Sequence, residues 1–426
     1  MIAVIGAGLA GLTCAKVLHE AGAEYCVLDS ADEVGGRVRS DRQQGFILDR
    51  GFQVILDSYP TLRRHVDLPA LNPRAFDSGA LLWDAGQFWK LRHPFRHPLS
   101  APEAAFGSAF GVADKARLTK LALAVLAKSD SSLLRGCGGP YDMETLAFVR
   151  KQGLTPEFIE RFLRPFFGGV FLDNRLETSA SLFRYYLKKF LLGRALLPEE
   201  GIGALPRQLA RGLRPGSLRL QTRVKSLVSK NGNVSAVMLE DGEKIEVASA
   251  VLATDVNSAK GLLVGVPSDF APDFAPVWAV SFRAKESLYE DRLIVLPAGR
   301  KRLVRHFTQI TNVAPGYSAD GYPLVVATIL DAAGHSSAAL ANLAKIEIAE
   351  VFPKAATALE VVEILRIDRA VLRQPPGFFH RPRLQSPYPN LLLAGDHTAT
   401  SSIEAAMASG EDAAKRVLDQ GMTHHR

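Results

Sequence analysis

Residues 1–29 restrict the fold more than any other stretch of the chain. Ile2-Ala3-Val4-Ile5 is a short, wholly apolar run, the pattern of a parallel strand buried on both faces. Gly6-Ala7-Gly8-Leu9-Ala10-Gly11 follows directly. Leu9, Leu12, Ala15 and Leu18 then recur at helical spacing, and Gly22 supplies a C-terminal stop. The next run, Glu24–Leu28, reads as a second strand and ends in Asp29. Each part has a physical task. Gly6 permits a tight turn, Gly8 lets the backbone approach a pyrophosphate, and Gly11 lets helix and strand pack closely. The helix opening at Leu9 and Ala10 presents free N–H groups and a positive dipole end to the phosphates. Asp29, with Ser30 beside it, accepts from ribose hydroxyls, and its charge repels a 2′-phosphate, which disfavours NADP. A glycine pattern of this kind also occurs as a plain structural turn. Strand, helix and terminal acid in register make it a dinucleotide fingerprint.

Composition narrows the setting. At 426 residues the chain exceeds one compact core and suits two packed domains, and 47% hydrophobic residues are enough to build them. No apolar run reaches the roughly 18 residues of a membrane span, and the first apolar run opens into glycines rather than a signal-peptide cleavage site. Three cysteines, Cys14, Cys26 and Cys137, show no CxxC spacing, which argues against a disulfide framework, a zinc site or a dithiol pair. Cys14 and Cys26 fall in helix and strand interiors and read as buried small hydrophobes. The expected compartment is reducing and cytoplasmic. The net charge of +7 (51 basic against 44 acidic residues) leaves three readings open: peripheral contact with an anionic membrane, anionic ligands, or nothing specific. No basic-aromatic repeat suggests a nucleic-acid partner.

Two further segments say which dinucleotide. Val34-Gly35-Gly36-Arg37-Val38-Arg39-Ser40 follows the second strand and brings backbone N–H groups and a cation toward the pyrophosphate. Near the C-terminus, Leu391-Leu392-Leu393-Ala394-Gly395-Asp396 is a strand ending in Gly-Asp. It is followed by Ser401-Ser402-Ile403-Glu404, where Ser401 and Glu404 fit a capping box and a helix crowded with small residues begins. Together these segments resemble the FAD-dependent amine oxidase superfamily, which includes protoporphyrinogen oxidases and carotene desaturases. The resemblance implies non-covalent FAD, with Gly36 and Arg37 on its phosphates and Asp396, after Gly395, holding the ribityl chain. It also implies that the helix starting at Ser402 and Ile403 points its positive end at the flavin. By the same resemblance, Gly51, Phe52, Gln53 and Val54 pass the flavin ring, and the Val224 backbone meets the adenine. Phe52 and Val224 have plain alternatives, as a core ring and a hairpin valine. A small-residue packing face is the alternative for the C-terminal helix.

The expected fold class is α/β: a Rossmann-type FAD-binding domain, a doubly wound parallel sheet plus β-meander, with a discontinuous α+β substrate domain. Residues 1–56, 200–265 and 385–426 are assigned to the first, 57–199 and 266–384 to the second. Within the first, Leu197–Pro206 looks like the re-entry before a short helix. Asn231-Gly232 and Asp241-Gly242 mark hairpin turns, and Ala250–Thr254 returns as a buried strand. In the second, the piece 57–199 reads as helical, with a helix start at Thr155-Pro156-Glu157. The runs Val277–Phe282, Leu293–Leu296, Leu324–Leu330 and Val361–Ile367 suggest an antiparallel sheet flooring the site.

Phe158, Phe162, Phe166, Phe167, Phe171, Phe183, Tyr185, Tyr186 and Phe190 cluster along the helical piece. They read either as walls of an apolar substrate cavity or as ordinary core. Arg161, Arg164, Arg184, Lys188, Lys189 and Arg194 interleave with them, as a membrane-facing or a solvated basic face. No catalytic acid, base or metal set stands out, as suits chemistry carried by a cofactor. His397 follows the Gly-Asp motif, where a place near the flavin is one reading and a structural or solvent-facing histidine is the preferred one. Two features of the amine-oxidising branch are missing: serines stand where it has an aromatic before the last helix, and Val277–Phe282 contains no lysine. The expected function is hydride transfer from a large apolar substrate, isoprenoid-, carotenoid- or porphyrinogen-like, to flavin N5, with an undefined electron acceptor. An amine oxidase, a non-redox flavin-dependent isomerase and a binding protein with structural FAD are the alternatives.

Overall fold

A computed structural model describes residues 1–92, 109–136, 142–263, 271–299, 302–380 and 384–423. Cys137 and the expected boundary at 265/266 lie outside these residues. Five strands form one sheet in the order Leu218–Arg219, Tyr25–Leu28, Ile2–Ile5, Ser249–Leu252 and Leu391–Leu393. Every neighbouring pair is parallel. The sheet is covered on both faces, which is why its strands carry almost no polar residue. Val4, Val27 and Val251 pack with Leu12 and Leu18 of the helix Leu9–Glu20 and with Met407 of the helix Ile403–Thr423. Ala3, Ile5, Leu28 and Leu252 turn the other way, onto Val237 and Leu239. Those two side chains belong to an antiparallel meander, Val224–Lys230, Asn233–Leu239 and Lys244–Glu246. Its first hairpin turns through Asn231 and Gly232 at φ 53° and 76°, the left-handed pair that a type I′ turn requires. The expected Rossmann-type α/β fold with a meander is the fold observed.

The first helix ends where Gly22, at φ 70°, lets its own N–H reach the His19 carbonyl and that of Ala23 reach Leu18. Cys14 and Cys26 are both buried. Burial pushes the Cys14 thiol up to about 12 and raises that of Cys26, so neither is poised as a nucleophile.

The capping-box expectation is corrected. Ser402, not Ser401, caps the C-terminal helix, accepting from the Ala405 N–H at 3.1 Å. Glu404 reaches away from its own helix and accepts from the N–H groups of Thr61 and Leu62, at the start of the helix Pro60–His65. A carboxylate in register for one helix end has been taken by another, a tertiary choice that local spacing does not reveal.

The second sheet differs from expectation in composition and direction. Its order is Leu359–Leu372, Phe274–Ala284, Leu324–Ile329, Val304–Gln309, Ile294–Pro297, Gly79–Asp84 and Gln87–Arg92. The segment read as helical thus contributes a hairpin, turned through Ala85 and Gly86 at φ 46° and 85°. That hairpin joins Ile294–Pro297 in a parallel pair, so the sheet is mixed rather than antiparallel. Ala80 and Leu82 face one core, Leu81 and Trp83 another. A strand buried on both faces shows no period of two, which hid it.

Helices of the first piece cover one face of this sheet, and Ser337–Val351 covers the other. Thr155 caps Pro156–Phe158 as expected, its hydroxyl accepting from the Phe158 N–H. The helix continues through a π-helical stretch, Ile159–Leu163, into Arg164–Phe171. Among the described residues, no helix is long and apolar enough to cross a membrane.

Candidate functional site

Three loops meet at the C-terminal ends of the parallel strands, where ligands settle in open α/β sheets. The first is Gly6–Gly11. Gly6 has φ 110°, and a Cβ there would lie 2.6 Å from the Ala253 carbonyl oxygen. At Gly11 a Cβ would lie 1.8 Å from the Gly6 carbonyl oxygen, so helix and strand touch backbone to backbone. A Cβ at Gly8 would meet nothing within 4 Å, because that side opens onto a cavity. Among the described residues no side chain caps the helix that begins at Leu9, and its positive end faces the same space.

The second loop is stitched onto the first. The Gly35 N–H donates to the Ala7 carbonyl at 2.8 Å, and Gly35 and Gly36 both take positive φ, 113° and 60°. Asp29 accepts from the Ala7 N–H at 2.6 Å and from the Ala31 N–H at 2.8 Å. It therefore holds the glycine turn, and each oxygen keeps a further acceptor position for a ribose hydroxyl. Gln53 donates to the carbonyls of Arg37 and Arg50, both at 2.9 Å.

The third loop, after Leu391–Leu393, supplies Gly395 and Asp396. Arg37 donates to Asp396 Oδ2 at 2.8 Å and to the Ala370 carbonyl at 3.3 Å. The Ser401 hydroxyl donates to the same carboxylate oxygen at 2.9 Å. Burial alone would push the Asp396 carboxyl up, but the Arg37 guanidinium and the Ser401 hydroxyl outweigh it and hold the group below the usual carboxylate range. Charge at the heart of the cleft is thus neutralised by residues far apart in the chain.

One cavity of about 1390 Å³ runs past all three loops, larger than the about 300–1,000 Å³ of a pocket for one small molecule. It is lined by Gly6, Gly8, Leu9, Ala10, Asp29, Ser30, Gly36, Arg37, Gly51, Phe52, Gln53, Val54, Gly395, Asp396, Ser402 and Ile403. Of the expected site residues, Gly11 and Val224 stand off it. Gly11 is spent on packing, and Val224 begins the meander, packed against the core beneath it. His397 is buried at 3% exposure and is also absent from the lining.

Beyond Phe52 the cavity becomes apolar. Phe162, Phe166, Phe167, Phe171, Tyr186 and Phe190 line it, with Phe162 and Phe166 stacked at 5.7 Å. Phe158, Phe183 and Tyr185 lie in the core behind them. The aromatic cluster is thus divided: some members line the cavity and others pack as core. The cations between them are engaged. Arg161 pairs with Asp84 and Glu157, Arg164 with Glu160, Lys188 and Lys189 with Asp130, and Arg194 with Asp57. Arg184 lies over the Phe148 ring.

Several lining residues escaped the sequence reading. Gly35 lies within the Gly-Gly-Arg segment but was not singled out there. Thr254 and Asp255 follow a buried strand, as Asp29 does, so position at a strand end was their signal. His306 and Thr328 sit inside strands and gave none.

The residues present fit a flavin dinucleotide: an uncapped helix end, a glycine whose missing Cβ leaves the cleft open, and a groove that extends past the phosphate region into an apolar chamber. The comparisons agree. The model of the family described as "Flavin containing amine oxidoreductase" matches residues 9–418. A 15-cis-phytoene desaturase of Capsicum annuum is 24% identical over 98% of this chain and 77% of its own. An oxidoreductase from Methanosarcina mazei superposes with a TM-score of 0.75 at 17% identity, covering 97% of this chain and 99% of its own. A putative protoporphyrinogen oxidase from Exiguobacterium sp. does so with a TM-score of 0.69 at 17% identity, over 98% of each chain. With a family match that spans nearly the whole chain, this protein belongs to the flavin containing amine oxidoreductases and is an FAD-dependent oxidoreductase.

Proposed function

We propose that this enzyme removes a hydride equivalent from a large apolar substrate, isoprenoid-, carotenoid- or porphyrinogen-like. The observation that carries the reading is the aromatic chamber, continuous with the dinucleotide groove and walled by Phe162, Phe166, Tyr186 and Phe190. When bound, FAD supplies the two-electron acceptor. Gly8 and the start of the first helix would receive its phosphates, and Asp29 would accept from its ribose. Arg37 and Asp396 face the middle of the groove as a compensated pair. The aromatic walls orient substrate by shape and exclude water, which suits a reaction that asks the protein for position rather than proton transfer.

Amine oxidation is less well supported. Ser401 and Ser402 line the cavity where an amine cage would need an aromatic, and Phe274–Ala284 carries no lysine. Anaerobic mixing of the holoenzyme with isoprenoids, porphyrinogens and amines tests this. Loss of the oxidised flavin band with an isoprenoid or porphyrinogen is the expected result. Bleaching by amines alone would overturn the reading, and a substrate converted to a product of equal mass would replace net oxidation with isomerisation.

A further inference from the structure

Two polar side chains face the apolar part of the cavity without a hydrogen-bond partner among the described residues. His306 and Thr328 are cross-strand neighbours in the second sheet. They are 5% and 3% exposed, and both line the cavity. Among the described residues, neither imidazole nitrogen of His306 nor the Thr328 hydroxyl has a partner. Buried polar atoms are satisfied in the great majority of cases, so two adjacent unsatisfied groups on one wall call for an explanation.

The surroundings are shaped to keep the imidazole there. The Phe52 ring meets it edge-on at 5.1 Å between centroids. A Cβ at Gly169 would lie 2.5 Å from His306 Nδ1, so the helix Arg164–Phe171 leaves room for the ring only because position 169 has no side chain. Burial, with Arg305 beside it, pushes the imidazole down to about 3, so it is neutral near pH 7. A neutral imidazole offers one donor and one acceptor, and a threonine hydroxyl offers both. That set complements an uncharged oxygen and gives a carboxylate or phosphate no compensating charge.

We propose that His306 and Thr328 form an anchor for a hydroxyl or carbonyl oxygen on the apolar substrate. This deepens the function proposed above and rests on it: the substrate is an oxygen-bearing apolar molecule rather than a pure hydrocarbon. A hydrocarbon bound against this wall leaves all three polar atoms without partners. Sites built to hydrogen-bond a substrate hydroxyl reject the analogue lacking it far more strongly than apolar pockets reject a missing methylene.

Equilibrium binding to the holoenzyme, read from the perturbed flavin absorbance, tests the anchor. The probes are geranylgeraniol and the C20 hydrocarbon of the same skeleton. The alcohol is expected to bind at least about tenfold more tightly, a step of the size one good hydrogen bond supplies. Thr328→Val and His306→Phe should each shrink that preference to less than about threefold, with hydrocarbon affinity unchanged or raised and FAD content unchanged. Thr328→Val conserves shape and serves alone where the histidine variant fails to fold. Equal affinity for both probes, or a preference that survives both substitutions, overturns the anchor and leaves the apolar reading standing. A holoenzyme that binds neither probe overturns both.

Discussion

An added Cβ at Gly11 would lie 1.8 Å from the Gly6 carbonyl oxygen, whereas at Gly8 it meets no atom of the described residues within 4 Å. The same substitution at these two positions must therefore act on different properties. Gly11→Ala forces the first helix off its strand and should cost about 1–3 kcal/mol of stability, the usual toll of overpacking. Gly8→Ala should leave the stability of the FAD-free protein within about 0.5 kcal/mol while weakening FAD binding at least about tenfold, because the methyl occupies the cleft. Urea unfolding of the stripped proteins, paired with flavin titration, separates the two. An FAD-free Gly8→Ala as unstable as Gly11→Ala would show that both glycines serve packing alone. These roles were legible in the sequence because a strand, a glycine turn and a helix leave each glycine one geometric task. The partners of Arg37 were not. Asp396 lies 359 positions away, and no local pattern reports which distant carboxylate will neutralise a loop cation.

Asp49 shows how a single side chain ties elements together. It ends the strand Phe46–Asp49 and accepts from the Ser40 hydroxyl at 2.6 Å, the Ile202 N–H at 3.0 Å and the Tyr317 hydroxyl at 2.6 Å. It thus joins the neighbouring strand, the re-entry before Ala204–Arg211 and the turn Pro315–Tyr317. Burial raises its carboxyl to about 6, against the opposing pull of these hydrogen bonds. A carboxyl raised on folding adds stability that is complete below its unfolded value, near 4, and is lost as pH rises through about 6. The loss amounts to roughly 3 kcal/mol at most, taking about 1.4 kcal/mol for each tenfold change in proton affinity. Asp49→Asn keeps an acceptor for Ser40 and Ile202 and does not titrate. Denaturation midpoints between pH 4 and 7 should therefore show the variant gaining on the natural protein as pH rises. A difference that stays flat across that window would mean Asp49 remains ionised throughout. At this scale the meander and the parallel strands were readable, from turn dipeptides and unbroken apolar runs. The strand Gly79–Asp84 was not, since burial on both faces erases the alternation that distinguishes a strand from a helix segment.

At the scale of the whole molecule, the cleft is assembled from segments that are strangers in sequence: residues 6–10, 29–37, 51–54, 253–255 and 395–403. The two ends of the chain are brought together by direct packing, with Gly410 of the C-terminal helix so close to the first helix that a Cβ would lie 2.0 Å from the Ala10 carbonyl oxygen. The motifs at both ends were each readable, but the continuity of their groove with an aromatic chamber was a property of packing, and only part of the aromatic cluster lines it. A dinucleotide laid along this groove would contact several of those segments at once, and they are not held together in the unfolded chain. FAD should then bind the native state alone and stabilise it by mass action, about 2.7 kcal/mol at a free concentration one hundred times its dissociation constant. The unfolding temperature of the stripped protein should climb with the logarithm of added FAD. The increment should persist in Thr328→Val, whose hydroxyl faces the apolar chamber, and fall in Gly8→Ala. An unfolding temperature indifferent to FAD would mean that the dinucleotide does not bind the native cleft in preference to the unfolded chain.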